Sequence, residues 1–113
     1  SCPVCQMALP FLDRIATGGL RICAVSQDSA KATAEFNQKF GIRNLEMLYD
    51  APPYKASNAF RITSVPSLFL IEPDGMVSKS IEGFSKADFE ELGQRAGLPI
   101  FTAADRVPLL KPG

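Results

Sequence analysis

Two cysteines stand at the front of the chain, Cys2-Pro3-Val4-Cys5, and a helical pattern starts directly behind them. Val4, Met7, Ala8, Phe11, Leu12 and Ile15 recur at the spacing of one apolar helix face, with Gln6, Asp13 and Arg14 on the other side. Pro3 suits the first turn, where its missing N–H leaves no bond unmade. Pro10 falls inside the pattern and is expected to kink the helix, because it cannot donate to the carbonyl four residues back. Gly18-Gly19 ends it. Both sulfurs therefore lie on one turn at a helix start, close enough to join as a disulfide and to part again.

The rest of the chain alternates strands with helices. Leu20 to Ser26 holds a nearly continuous apolar run, the pattern of a strand buried on both faces. Asp28 or Ser29 caps a helix through Phe40, with Ala32, Phe36 and Phe40 inward and Gly41 as its stop. Glu46 to Tyr49 reads as a short strand, Asp50 to Pro53 as a loop, and Tyr54 to Phe60 as a short helix. Ser67 to Ile71 is a second strongly apolar strand. Pro73-Asp74-Gly75 then turns the chain back along Met76 to Ile81 as a hairpin. Ser85-Lys86-Ala87-Asp88 resembles a capping box and opens a last helix to Gly97, buried through Phe89, Leu92 and Ala96. Residues 98–113 form a tail whose Ile100, Phe101, Leu109 and Leu110 are expected to dock on the body. The order predicts one α/β domain over 1–113 with a central mixed sheet.

Composition narrows the function. With 113 residues and 46% apolar content, the chain is long enough for a real core. Its formal net charge is zero, which gives no electrostatic reason to expect nucleic acid or an anionic membrane as partner. No apolar run approaches the length needed to span a bilayer, so no membrane anchor is legible. Three cysteines are too few for a stapled scaffold. Cys23, within the apolar stretch, is expected to be a buried small hydrophobe.

A Cys-x-x-Cys pair is either half of a zinc site or a redox dithiol. Structural zinc needs four ligands, and beyond the pair there are only Cys23 and no histidine, which leaves a carboxylate-completed site or a dimeric bridge as the metal alternative. The helix start favours redox chemistry, since orphan N–H groups and the helix dipole hold a thiolate below the free thiol value of about 8.5. A purely structural disulfide closing so short a loop would constrain little chain entropy. Cys2, at the exposed start, is then the nucleophile, and Cys5, one turn inward, resolves the mixed disulfide. Pro3-Val4 adds no charge between them. Val65-Pro66, directly before a strand, fits the strand-start position at which proline is tolerated.

Taken together, Cys2-Pro3-Val4-Cys5, Pro10, Ser64-Val65-Pro66-Ser67 and the Pro73-Asp74-Gly75 hairpin resemble the thioredoxin superfamily. The run from Phe60 to Ile71 is similar to that of its TlpA-like branch of bacterial thiol-disulfide oxidoreductases. The resemblance covers residues 1–97. It implies a thioredoxin-like three-layer fold, a cis Pro66 against the active disulfide, and a Val65 backbone that pairs with an extended substrate peptide. It also implies an extracytoplasmic setting, periplasmic or membrane-tethered, with a cytoplasmic one as the alternative.

The chain departs from the family at three places. Ser1 replaces the aromatic residue usual before the first Cys, and Ala8 stands where many TlpA-like proteins place a glutamate. The family's first central strand, directly before the motif, is not visible. Residues upstream of Ser1 are therefore expected in the native protein. Without that strand, Leu20–Ser26 and Ser67–Ile71 each lack a neighbour on one edge, and the chain 1–113 is not expected to be a stable monomer alone.

The function expected is thiol-disulfide exchange with protein substrates through Cys2 and Cys5. It needs no metal or organic cofactor, but it needs a second redox protein as electron donor or acceptor. Three other readings stand beside it: a peroxiredoxin-like peroxidase, a Cu(I) carrier on the two thiolates, and a redox-silent module using only the peptide groove at Val65 and Pro66.

Overall fold

The computed structural model of the chain describes residues 2–99, 101 and 105–112. Helix α1 spans Pro3–Ile15 and runs on through Pro10 without ending there. It is followed by β1 (Cys23–Ser26), α2 (Ala30–Phe40), β2 (Glu46–Tyr49), α3 (Lys55–Ala59), β3 (Ser67–Ile71), β4 (Val77–Glu82), β5 (Phe84–Ser85), α4 (Lys86–Ala96) and β6 (Leu110–Lys111).

Local chemistry accounts for the helix ends. The Ser29 hydroxyl accepts the Ala32 N–H at 3.1 Å, and Gly41 closes α2 in the left-handed region at φ +69°. The Ser85 hydroxyl accepts the Asp88 N–H, and Gly97 closes α4 at φ +80°. The apolar faces of α1 and α4 supply most of the core: Val4, Ala8, Phe11, Leu12 and Ile15 from the first, Phe89, Leu92 and Ala96 from the second. Phe84 lies between them, 4.7 Å from the Phe89 ring and 6.2 Å from that of Phe11. Gly18 lets α1 end directly against α4, since a Cβ there would collide with the Ala96 carbonyl oxygen.

The strands pair in twos. β1 runs parallel to β2, β3 antiparallel to β4, and β5 antiparallel to β6. Glu46–Tyr49 flanks the first apolar strand and the hairpin return flanks the second, as expected, but no ladder joins β1 to β3 among the described residues. Among the described residues the strands form three two-stranded ribbons instead of one continuous sheet.

Several expectations change with that arrangement. Leu20–Ser26 and Ser67–Ile71 read as fully buried, yet Val25 is 53% and Ile71 55% exposed: side chains leave a strand from its faces, and the described residues leave these faces uncovered. Cys23 is exposed for the same reason. Its thiol donates to the Glu46 carboxylate across the β1–β2 pair, and Arg21 also donates to that carboxylate. Asp13, expected on the outer face of α1, is buried. Ala32 is exposed, and Thr33 supplies the buried contact of α2. In the tail, Phe101 packs 4.7 Å from the Phe11 ring, whereas Leu109 and Leu110 stay exposed. Leu110 joins the body through backbone pairing in β6. Ile100 lies outside the described residues.

Candidate functional site

The N-terminus of α1 and the loop before β3 meet. Cys2 occupies the N-cap position with extended backbone (φ −100°, ψ 109°), and Pro3 begins the helix. The Cys2 Sγ accepts the Cys5 N–H at 3.1 Å, the role a serine or aspartate oxygen usually fills. Cys2 and Cys5 are joined as a disulfide with their Cα atoms 5.1 Å apart, within the ordinary range. Both residues are half-buried, so the expected contrast between an exposed Cys2 and an inward Cys5 is not marked in this oxidised state. No acidic residue lies in the first turn of α1. The helix terminus thus keeps its positive end free to favour a thiolate when the pair is reduced.

Opposite stands the loop 61–66. The Val65–Pro66 peptide is cis. The Val65 carbonyl oxygen lies 3.6 Å from Cys2 Sγ. In the disulfide this sulfur carries no proton, so the approach is a packing contact; the reduced thiol could donate across the same gap. The loop is fastened at several points. Ser67 Oγ donates to the Ser64 carbonyl at 2.7 Å, and the Gly83 N–H donates to the Pro66 carbonyl at 2.8 Å. The Ile62 N–H donates to Ser57 in α3, and Phe60 stacks 4.9 Å from Phe69 of β3. No backbone partner takes up the Val65 N–H among the described residues, which leaves this edge open to strand addition.

Behind the loop lies a polar chain that the sequence did not single out. The buried Asp50 carboxylate accepts the Ala56 and Ser57 N–H groups at 3.1 and 2.8 Å and the Ser57 hydroxyl at 2.6 Å. These bonds, the Ser57 hydroxyl first, hold its pKa below the ordinary aspartate value. Asp50 thereby caps α3, whose own N-cap residue Tyr54 sits at φ +59° and offers no side-chain bond. Ser57 Oγ in turn accepts from Gln27 Nε2 at 2.8 Å. A second cis peptide, Pro52–Pro53, lies in the connecting turn. The distance of Asp50 from the helix it caps hid it, since a capping-box pattern reaches only three residues.

No carboxylate or other base stands beside Cys5 among the hydrogen bonds of the described residues. Nor do those residues gather three or more Cys, Asp or Glu side chains into a group able to hold a metal ion. No helix among them is long and apolar enough to cross a membrane.

With this geometry in view, one solved structure is informative. A Chlorobium tepidum protein, provisionally assigned as the thiol:disulfide interchange protein DsbE, superposes with a TM-score of 0.70. The match covers 83% of this chain and 69% of the other at 23% sequence identity. The fold is thioredoxin-like. No protein-family model matches the sequence, and no curated protein does either. The likeness concerns the path of the chain.

Proposed function

We propose that the protein is a thiol-disulfide oxidoreductase that works on protein substrates through Cys2 and Cys5. One observation carries this reading. The two cysteines lie on the first turn of α1 as a disulfide, with Cys2 Sγ 3.6 Å from the Val65 carbonyl of the exposed loop 61–66. The thioredoxin-like fold supports it, as does the neighbour's description as an interchange protein.

In the reducing direction, the Cys2 thiolate attacks a substrate disulfide. A Cys2–substrate disulfide forms and one substrate thiolate leaves. The Cys5 thiolate then attacks Cys2 Sγ, forming the Cys2–Cys5 bond and expelling the second substrate thiolate. Two electrons pass to the substrate, and the two protons lost by the cysteines end on its thiols. A second dithiol protein must return the electrons. The oxidising direction runs the same steps backwards, and the relative reduction potentials choose between them. The helix terminus and the Cys5 N–H stabilise the Cys2 thiolate, while Val65 and Pro66 hold the substrate backbone. The resemblance to the TlpA-like branch supports a bacterial, extracytoplasmic setting.

Insulin reduction with dithiothreitol as electron source tests the proposal. Activity should vanish in Cys2→Ser, while Cys5→Ser should accumulate a mixed disulfide through Cys2. In the reduced protein, limiting iodoacetamide should modify Cys2 first. Cys23 should lag although exposed, because its hydrogen bond to Glu46 raises its pKa. Full activity in Cys2→Ser, or first labelling at Cys5 or Cys23, would overturn the roles assigned.

A further inference from the structure

A small open pocket of about 240 Å³ is lined by Gln27, Ile62, Thr63, Ser64 and Val65, the last of which carries the carbonyl 3.6 Å from Cys2 Sγ. It lies next to the backbone on which the proposed function places the substrate, and its lining is mostly polar. Thr63, Val65 and Gln27 are exposed there, so an incoming chain can reach them.

Gln27 is held in one orientation by the groups behind it. The Asp50 carboxylate can only accept hydrogen bonds, and it takes the Ser57 hydroxyl proton. That hydroxyl has no second proton, so towards Gln27 it can only accept. The Gln27 side chain must therefore turn its NH₂ to Ser57, as observed at 2.8 Å. This leaves one N–H and the Oε1 of Gln27 without a partner among the described residues. The Thr63 hydroxyl at the same pocket also has no partner among them. A donor and an acceptor on one amide match the acceptor and donor of another amide. A carboxylate would meet Oε1 without a proton to give. An ammonium would find no acidic side chain in the lining.

We propose that this pocket is a specificity subsite that receives an asparagine or glutamine side chain flanking the target cysteine of the substrate, with Gln27 reading it. The inference rests on the oxidoreductase reading and adds the class of substrate. Asp50 and Ser57 act as positioning residues, since they reach the substrate only by orienting Gln27.

The test uses short peptide disulfides that differ only in the residues on either side of the cysteine, either glutamine, leucine or glutamate. Each is mixed with the reduced chain, and the second-order rate of oxidation of Cys2–Cys5 is followed. The glutamine peptide should react about fivefold faster than the leucine peptide, the size of one net neutral hydrogen bond. The glutamate peptide should not share that advantage. Gln27→Leu should bring the glutamine-to-leucine ratio near one, and Ser57→Ala, which releases the orientation of Gln27, should lower it part of the way. A merely structural role for Gln27 would slow all peptides alike and keep the ratio. Equal rates for all three peptides with the wild-type chain, or a ratio unchanged in Gln27→Leu, would overturn the subsite while leaving the oxidoreductase reading intact. Failure of the reduced chain to react with any of the disulfides would overturn both.

Discussion

Replacing Asp13 should cost the protein more stability than any sequence pattern suggests. The side chain is 8% exposed. Its Oδ1 accepts three consecutive backbone N–H groups, from Arg43, Asn44 and Leu45, at 3.0, 2.6 and 3.2 Å. Oδ2 accepts from the Asn44 side-chain amide at 3.1 Å. The carboxylate thus holds the turn that leads into β2 against α1. In Asp13→Ala those donors lose their acceptor, and the Leu45 N–H lies in a buried site. Water can reach the exposed Arg43 and Asn44, so the full penalty falls on about one group and a partial one on two. At about 1–3 kcal/mol for an unsatisfied buried donor, the total comes to about 2–4 kcal/mol. In Asp13→Asn the remaining oxygen can keep all three backbone bonds. The new NH₂ would face the Asn44 NH₂, but the exposed Asn44 amide can turn over and accept. Only the charge assistance is lost, about 1–2 kcal/mol. For 113 residues the unfolding entropy is about 0.24 kcal/mol/K, so 1 kcal/mol is worth about 4 °C. Melting followed by circular dichroism, at one protein concentration throughout, should show Asp13→Ala lower by about 8–16 °C and Asp13→Asn by about half that. An Asp13→Ala variant that melts with the wild type, or an Asp13→Asn variant that falls as far as Asp13→Ala, would refute the reasoning.

Two further outcomes are expected. The lowered pKa of Asp50 means that folding favours its carboxylate, so its contribution is complete above the ordinary value of 3.8 and is lost as pH falls through the lowered one. The stability gap between wild type and Asp50→Asn should therefore narrow below pH 3.8, and a gap that stays constant in denaturant titrations across that range would count against the role given to Asp50. The edges of β1 and β3 that no strand pairs among the described residues, with Val25 and Ile71 more than half exposed, predict that the 113-residue chain associates with rising concentration. Light scattering coupled to size exclusion should show this, and a monomer with a sharp, concentration-independent transition would disprove it.

Much of the architecture was legible because its determinants are local. Ser29 and Gly41, Ser85 and Gly97 act within a turn of their own helices, and the structure places α2 and α4 between them. Pro73-Asp74-Gly75 sets its hairpin by its own dihedral preferences, helped by an Asp74 side chain that accepts the Met76 N–H. The apolar spacing of α1 and α4 likewise named their core residues, because a helix repeats its face every few residues. The pairing of Cys2 with Cys5 was legible in the same way, since one turn of helix brings the two sulfurs together.

Tertiary structure decided whatever depends on a partner far along the chain. Asp13 has a polar side chain, and helical periodicity alone puts it outside. It is buried because three N–H groups some thirty residues away need an acceptor there. Cys23 sits in an apolar run and reads as core, but burial requires a layer packed over its face of β1, and the described residues leave that face open, with the thiol on Glu46 of β2. Gln27 carries no motif at all. Its orientation comes from Asp50 through Ser57, and its place beside Val65 from the packing of loop 61–66. Local propensity is a property of a few adjacent residues and can be read from them. The direction of a hydrogen bond between distant groups exists only once the chain has brought them together.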